Sequence, residues 1–337
     1  MVISAVQRLD ARPLVIGHRG ASGYRPEHSA AAYELAFELG ADCVEPDVVA
    51  TRDGVLVIRH ENEISGTTDV AGHPEFAGRR RTASVDGVTH TGWFTEDFTW
   101  AELQTLRCVE RLPALRPGSA AYDGHFGILR LSDLFSLVER AADAQQRPLG
   151  IVAEIKHATH FARLGLPLDE LFAAEVEAAG WNSGDGRLVV ESFEPTVLER
   201  VRARGVLAPS VLLVEAEGVP ADLVAARGAS AADYASFLTP DGLRGLSVEG
   251  ISVPKQLLLH PGSRLVDSAH GAGLEVFTWT LRPENEFLDT RFRVGADEAA
   301  WGAWRDEFSR VMASGVDGVF ADHPDLAVAV RAEFAGR

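Results

Sequence analysis

The chain has 337 residues, 46% hydrophobic and 24% charged, with a formal net charge of −17. This is an ordinary composition for a soluble globular protein, and the acidic excess argues against non-specific binding to nucleic acid or to anionic membrane surfaces. Cys43 and Cys108 make neither a disulfide framework nor a zinc pattern, and no apolar run is long enough to span a bilayer.

Residues 1–12 carry no apolar leader, so the cytoplasm is the default expectation, although a chain trimmed of an export signal would read the same. Residues 14–16 form a short apolar run that reads as a strand and ends at His18, within Gly17-His18-Arg19-Gly20. Arg25-Pro26-Glu27-His28-Ser29 follows, and the alanine-rich residues to Leu39 suit a helix that Gly40 stops. Residues 43–49 are a second apolar run, with Glu45 and Asp47 two positions apart. In a strand that spacing aims both carboxylates to one face.

Asp53-Gly54 favours a tight hairpin. Centred on that pair, Thr51 faces Leu56 and Asp47 faces His60, and directly opposed side chains lie roughly 5 Å apart. The pattern predicts a His60–Asp47–Glu45 cluster. A Glu-x-Asp pair on a strand is ordinarily a solvated face, but Val44, Val48 and Val49 give this strand apolar character elsewhere, which favours a site.

Residues 61–129 break the rhythm, with many Thr, Gly, Asp and Arg residues and few periodic runs. A linker between two domains is one reading. The preferred one is an insertion of about 65 residues folded over the mouth of a single domain spanning 1–337, because long loops in compact domains are usually functional. Within it, Thr99 and Glu102 have the spacing of a capping box. Residues 132–146 read as an amphipathic helix capped by Ser132. Residues 149–155 are an apolar strand except for Glu154, and a buried unpaired carboxylate there would be costly. Glu154 and Lys156 share a face. Strand and helix patterns then alternate to the end, with strands at 188–192, 211–214, 250–253, 274–280 and 316–321. Residues 221–226 and 234–238 have no clear place.

Eight parallel strands, with residues 56–60 as a hairpin arm, predict an α/β fold of the TIM (β/α)8 barrel type. A doubly wound sheet is the alternative, but no Gly-x-Gly-x-x-Gly follows the first strand. His18, Glu45, Asp47, Glu154, Lys156, Glu191, Trp279 and Asp322 all fall at or near carboxyl ends of strands, where barrel chemistry sits.

The ordered set His18-Arg19-Gly20, Pro26-Glu27-His28-Ser29, Glu45-Pro46-Asp47-Val48, Thr51-Arg52-Asp53-Gly54 and His60-Glu61 resembles the signature of the glycerophosphodiester phosphodiesterase family. Glu154-Ile155-Lys156, Glu191-Ser192-Phe193, residues 249–255, the stretch from Phe277 to Arg282 with Glu284-Asn285, and residues 315–324 extend the resemblance over most of the chain. With the insertion, it is similar to the branch that includes bacterial periplasmic glycerophosphodiesterases. Four departures stand out. His28 replaces the usual Asn, and Arg52 the usual Lys. Glu191 replaces Gln and adds charge near the mouth. Pro46 sits between the two carboxylates, which confines that strand to an edge or an irregular segment.

Carboxylates without a cysteine or paired-histidine pattern imply one hard divalent cation, Ca²⁺ or Mg²⁺. Glu45, Asp47 and Glu154 are the expected ligands and match those the resemblance implies, with Glu27 a further ligand, direct or through water. Such a cation would also offset an acidic field that repels phosphate esters. The resemblance makes His18 and His60 the catalytic pair, and which is acid and which is base stays open at this stage. Arg19 and Lys156 would hold the phosphate, and Trp279 would pack on glycerol or a cationic head group. The implied reaction is metal-dependent hydrolysis of small-molecule glycerophosphodiesters, such as glycerophosphocholine or glycerophosphoethanolamine, to glycerol 3-phosphate and an alcohol. A lyase that stops at a cyclic phosphate and a barrel that only binds phosphate esters are the alternatives. Preferred head group, oligomeric state and the path of residues 61–129 have no sequence signal.

Overall fold

Strands buried on both faces should read as near-continuous apolar runs, and those runs build the sheet of this protein. The computed structural model describes residues 13–335; residues 1–12, on which the localisation expectation rests, lie outside them. The strands in chain order are β1 (Leu14–His18), β2 (Cys43–Glu45), β3 (Asp47–Ala50), β4 (Leu56–Ile58), β5 (Arg81–Val85), β6 (Val88–Gly92), β7 (Gly150–Ile155), β8 (Leu188–Ser192), β9 (Ser210–Leu213), β10 (Gly250–Pro254), β11 (Glu275–Leu281) and β12 (Gly318–Ala321). Parallel pairing runs from β1 to β2, β7 and on through β12, which pairs back onto β1. With β3 continuing β2, this is a closed barrel of eight staves, the expected (β/α)8 architecture.

The barrel floor is a small apolar cluster of Leu14, Ile16, Cys43, Val152, Val189, Val211, Phe277 and Phe320, with Trp279 packed against it. Inward side chains repeat every second residue. The next inward positions up the staves are therefore His18, Glu45, Glu154, Glu191 and Leu213, with Asp322 just beyond β12. Removal of an apolar floor residue from water stabilises by about 1.5–3 kcal/mol per large side chain, and the same periodicity that builds this floor aims the polar layer above it. A second, larger cluster packs the outer strand faces against the helices.

Pro46 lies within the closed barrel rather than at an edge. Toward β7 the register continues across it, with Cys43 opposite Gly150 and Asp47 opposite Glu154. On the other side the stave changes partner at the residue with no N–H, leaving β1 after Glu45 and taking antiparallel β4 from Val48 onward. The hairpin register corrects the expected one. Val48 faces Ile58 and Ala50 faces Leu56, because the loop spans residues 51–55, with Thr51 N–H donating to Val55 O at 3.0 Å and Val55 N–H to Thr51 Oγ1 at 2.9 Å. Asp47 O accepts from Arg59 N–H at 2.9 Å, and His60 approaches the mouth from beyond the strand end.

Residues 61–129 hold the β5–β6 hairpin, short helical turns and the predicted capping box between Thr99 and Glu102. Phe76, Trp93, Phe98, Leu103, Leu106 and Cys108 are buried in the same cluster as the outer barrel face. The hairpin turn carries Asp86, whose Oδ2 lies 2.6 Å from Nδ1 of His157 in the loop after β7. Short helices at Ala158–Arg163, Ala221–Arg227, Tyr234–Phe237, Pro240–Gly245 and Lys255–Leu259 fill stretches where no period was legible. The helix Leu131–Gln145 is capped through Arg130 and Asp133 rather than Ser132.

Gly20 closes the turn after β1 at φ 86°, and a Cβ there would lie 2.6 Å from the Ala32 carbonyl carbon. Gly20→Ala is expected to destabilise the fold by about 1–3 kcal/mol through left-handed backbone strain and the clash. Denaturant unfolding of the two proteins measures it; equal midpoints would contradict this packing.

Candidate active site

The two histidines come from opposite sides of one corner of the barrel mouth. His18 ends β1, and its Nδ1 lies 2.6 Å from Oδ1 of Asp322, which directly follows β12. His60 lies just beyond β4, with Nδ1 2.5 Å from Oε1 of Glu61. Burial, then Arg19, push the His18 imidazole down to about 4. Burial, Arg19 and Lys156 push His60 down to about 3. Without substrate both rings are therefore neutral at pH 7. With Nδ1 facing a carboxylate in each, Nε2 is the nitrogen left to face the cavity that both rings line.

Register sets the carboxylate layer. Glu45 pairs with His18 across β1 and β2, Asp47 with Glu154 across β3 and β7, and Glu154 with Glu191 across β7 and β8. Glu45, Glu154 and Glu191 are buried, and each presents an oxygen within 4.8 Å of the others'. Burial, then the Asp47 charge, raises the Glu45 carboxyl well above its usual range. Burial raises Glu154 to about 8 against the pull of Lys156. Burial and the charges of Glu154 and Asp47 raise Glu191 well above its usual range. Glu191 Oε2 and Asp47 Oδ1 are buried without a hydrogen-bond partner. Repelling carboxylates with unused oxygens and no soft donor fit a hard divalent cation.

The expected ligands divide. Glu45 and Glu154 join that cluster, together with Glu191. Asp47 adjoins it and is held well below its usual range against burial by Lys156, His60 and His28. Its Oδ2 accepts from His28 Nε2 at 2.8 Å, while His28 Nδ1 meets Tyr33 Oη at 2.7 Å. His28, flagged only as a departure, is thus a buried strut under Asp47. Glu27 does not join the cluster: its oxygens take Arg111 Nη2 at 2.7 Å, Arg111 Nε at 2.8 Å and Arg19 Nη1 at 3.1 Å. The Ala30–Glu38 helix begins just after it, so Glu27 is fixed on the arginine side of the mouth.

Of the expected phosphate holders, Arg19 sits at φ 59° with its N–H donating to Glu45 Oε2 at 2.7 Å. Its Nε is buried, makes no hydrogen bond and lies 3.6 Å from Asp47 Oδ2 in an ion pair. Lys156 Nζ lies 2.9 Å from Glu154 and 3.5 Å from Asp47. Together with both histidines these groups line a cavity of about 620 Å³, which Phe193, Leu213, Trp279, Phe287, Lys255, Arg282 and Arg293 also line. The volume suits a small organic ligand. Trp279 stands edge-on to Phe193 at 6.0 Å. His160 does not line the cavity; its Nε2 lies 3.0 Å from Glu96 Oε1 and 3.3 Å from Asn62 Nδ2. His323 is buried between Tyr24 and Trp301.

Asp322 is the partner that sequence reasoning noticed but left without a role. Burial alone would raise its carboxyl, but Arg282, Arg116 and His18 hold it well below the usual carboxylate range. A folded pKa below the unfolded value of about 4 gives stability that is present above that pH and is lost as pH falls through the folded value. Asp322→Asn is therefore expected to be less stable than the parent at pH 7 and to lose less stability on acidification. Urea unfolding from neutral to acid pH checks this; parallel curves for the two proteins would contradict it.

A (β/α)8 barrel whose mouth gathers two imidazoles, an arginine, a lysine and buried carboxylates around one cavity defines the class of barrel hydrolases acting on phosphate esters. The model of the glycerophosphoryl diester phosphodiesterase family matches residues 18–326, and the chain belongs to that family. It is 30% identical over 328 residues to glycerophosphodiester phosphodiesterase GDPD6 of Arabidopsis thaliana, covering 93% of this chain and 84% of that one. It is 26% identical over 260 residues to a Bacillus subtilis glycerophosphodiester phosphodiesterase, covering 74% and 76%. A solved structure from Silicibacter pomeroyi superimposes with a TM-score of 0.69 at 23% identity, covering 98% of both chains. An Oleispira antarctica phosphodiesterase, solved with the product sn-glycerol-3-phosphate, superimposes at 0.59 with 19% identity, over 94% of this chain and 96% of that one. The protein is thus a phosphoric diester hydrolase of this family. Among the described residues no helix is long and apolar enough to cross a membrane.

Proposed function

We propose that the protein hydrolyses glycerophosphodiesters to glycerol 3-phosphate and an alcohol, with His18 and His60 as the acid–base pair. The observation that carries this reading is that both rings line one cavity, each with Nδ1 on a carboxylate. Glu45, Asp47, Glu154 and Glu191 would hold one divalent cation, Ca²⁺ or Mg²⁺. When bound it would supply Lewis-acid polarisation of the phosphoryl oxygen and of a substrate hydroxyl.

The remaining work falls to the chain's own groups. Arg19 and Lys156 donate to the non-bridging phosphate oxygens and stabilise the charge that grows there. One histidine accepts at Nε2 the proton of the glycerol 2-hydroxyl as its oxygen bonds to phosphorus. The other, having taken up a proton at Nε2 with the phosphate anion bound beside it, donates that proton to the leaving alkoxide as the ester P–O bond breaks. Water then opens the cyclic diester with the two roles exchanged, and both rings return to their starting protonation. The aromatic wall of Phe193 and Trp279 covers the carbon skeleton and keeps bulk water from the phosphate.

The test is product analysis. Phosphorus NMR of glycerophosphocholine incubated with the protein and cation should end in glycerol 3-phosphate. Accumulation of a cyclic phosphate that the protein does not open would replace hydrolysis by a lyase reaction. An unchanged diester across head groups and cations would leave binding alone.

A further inference from the structure

Each histidine is backed by a carboxylate, and each of those carboxylates is in turn held by an arginine from the same short stretch of residues 61–129. Glu61 takes His60 Nδ1 and Arg111 Nη1 on Oε1, at 2.5 and 2.9 Å, and Arg111 Nη2 on Oε2 at 2.6 Å. Asp322 takes His18 Nδ1 on Oδ1 at 2.6 Å, and on Oδ2 takes Arg116 Nη2 and Arg282 Nε, both at 2.7 Å. Arg116 is anchored further by Glu284 Oε1 at 2.7 Å and by the carbonyl of Ser22 at 3.3 Å.

Resting on the acid–base reading above, we infer that Arg111 and Arg116 are positioning residues for the two histidines, acting through Glu61 and Asp322. A neutral imidazole has two tautomers, and a fixed carboxylate at Nδ1 selects the one that leaves the Nε2 lone pair for chemistry. The carboxylate must itself be fixed. Glu61 has a long side chain that is 30% exposed, and a bidentate guanidinium holds both its oxygens. Residues 61–129 therefore contribute to the site: a barrel lacking Arg111 and Arg116 would carry both histidines with less defined rings. The two relays differ in redundancy. Asp322 keeps Arg282 when Arg116 is lost, whereas Glu61 has no second arginine on it among the described residues.

The relay through Arg111 is the sharper test, because its side chain is 29% exposed and tolerates truncation, whereas Arg116 is buried between two carboxylates. Arg111→Ala is expected to lower kcat by about 10- to 100-fold, the range for removing a partner that orients a functional histidine, with little change in KM. Millimolar guanidinium should restore part of the loss. Arg111→Lys should recover less, since an ammonium cannot bind both oxygens in the same plane. In a Glu61→Gln background Arg111→Ala should cost little more. Glu27→Gln controls for the other carboxylate Arg111 touches. Arg116→Lys, chosen in place of Ala to preserve folding, should lower kcat less than Arg111→Ala.

Nitrogen-15 NMR of the imidazoles, read without substrate or cation, should show His60 protonated at Nδ1 in the parent and a mixture of tautomers in Arg111→Ala. A single unchanged tautomer in Arg111→Ala would overturn the inference even if the protein hydrolysed no diester, which separates its failure from that of the proposed function. With an active parent, an unaltered kcat in Arg111→Ala, or additive losses with Glu61→Gln, would overturn it as well.

Discussion

His60→Ala is expected to lower kcat for glycerophosphodiester hydrolysis by about a hundred- to ten-thousand-fold, the usual contribution of a positioned acid or base. KM should change little, because the proposed contacts to substrate are those of Arg19, Lys156 and the aromatic wall. The histidine lines the cavity, its only side-chain hydrogen bond among the described residues is to Glu61, and 28% of its side chain is exposed. Truncation should therefore leave the melting temperature close to that of the parent, and a rate loss can be read as chemistry. His18→Ala should fall in the same range. The double variant should be far less than additive, because half of an acid–base pair completes little of the proton transfer. Steady-state kinetics with thermal melts of the three variants give the answer. A turnover number unchanged by His60→Ala would remove that ring from the reaction.

Glu154→Gln should act through the cation. Without a cation, the buried carboxyls of Glu45, Glu154 and Glu191 crowd one another and all three are raised above their usual ranges, so they hold protons that a cation would displace. A cation bound only by the folded protein stabilises it by about 2.7 kcal/mol at a hundred times its Kd. The parent's melting temperature should therefore rise on adding Ca²⁺ or Mg²⁺. Glu154→Gln removes a proposed ligand that pairs in register with both Asp47 and Glu191. It should weaken cation binding by about tenfold or more, as affinity follows the charge count of the ligands, and activity at limiting cation should fall in parallel. Glu191→Gln should shrink the cation-induced rise as well. Calorimetry and melting curves check both. A cation response identical in the parent and Glu154→Gln would remove that carboxylate from the ligand set.

Strand periodicity made much of this site legible. His18, Glu45 and Glu154 were readable as site residues because each ends an apolar run, and a stave of a barrel must aim its terminal inward residue at the mouth. The hairpin register was not, because it turns on Val55 closing back onto Thr51 rather than on the Asp53-Gly54 pair alone, and one residue of slip moves every facing pair. That His18 rests on Asp322, 304 positions away, follows from β12 closing against β1, which no local pattern encodes. Arg111 and Arg116 lie in the stretch with the weakest period, so their ion pairs left no trace in it. The β5–β6 hairpin did leave one: Asp86-Gly87 sits between alternating residues of a kind that marks a tight turn, and only the polarity of its surroundings concealed it. Glu191 shows the limit of a resemblance. As a departure from Gln it read as added charge near the mouth, whereas its burial beside Glu45 and Glu154 makes it a candidate ligand.

The central claim is that buried carboxylates, a cation and two histidines together cleave a glycerophosphodiester. The most direct measurement is release of glycerol 3-phosphate from glycerophosphocholine by the protein stripped with EDTA and then resupplied with Ca²⁺ or Mg²⁺. The account predicts no release after stripping and restored release with the cation, abolished again in His60→Ala. Full release from the stripped protein, or none from a folded protein with any cation and any glycerophosphodiester, would contradict it.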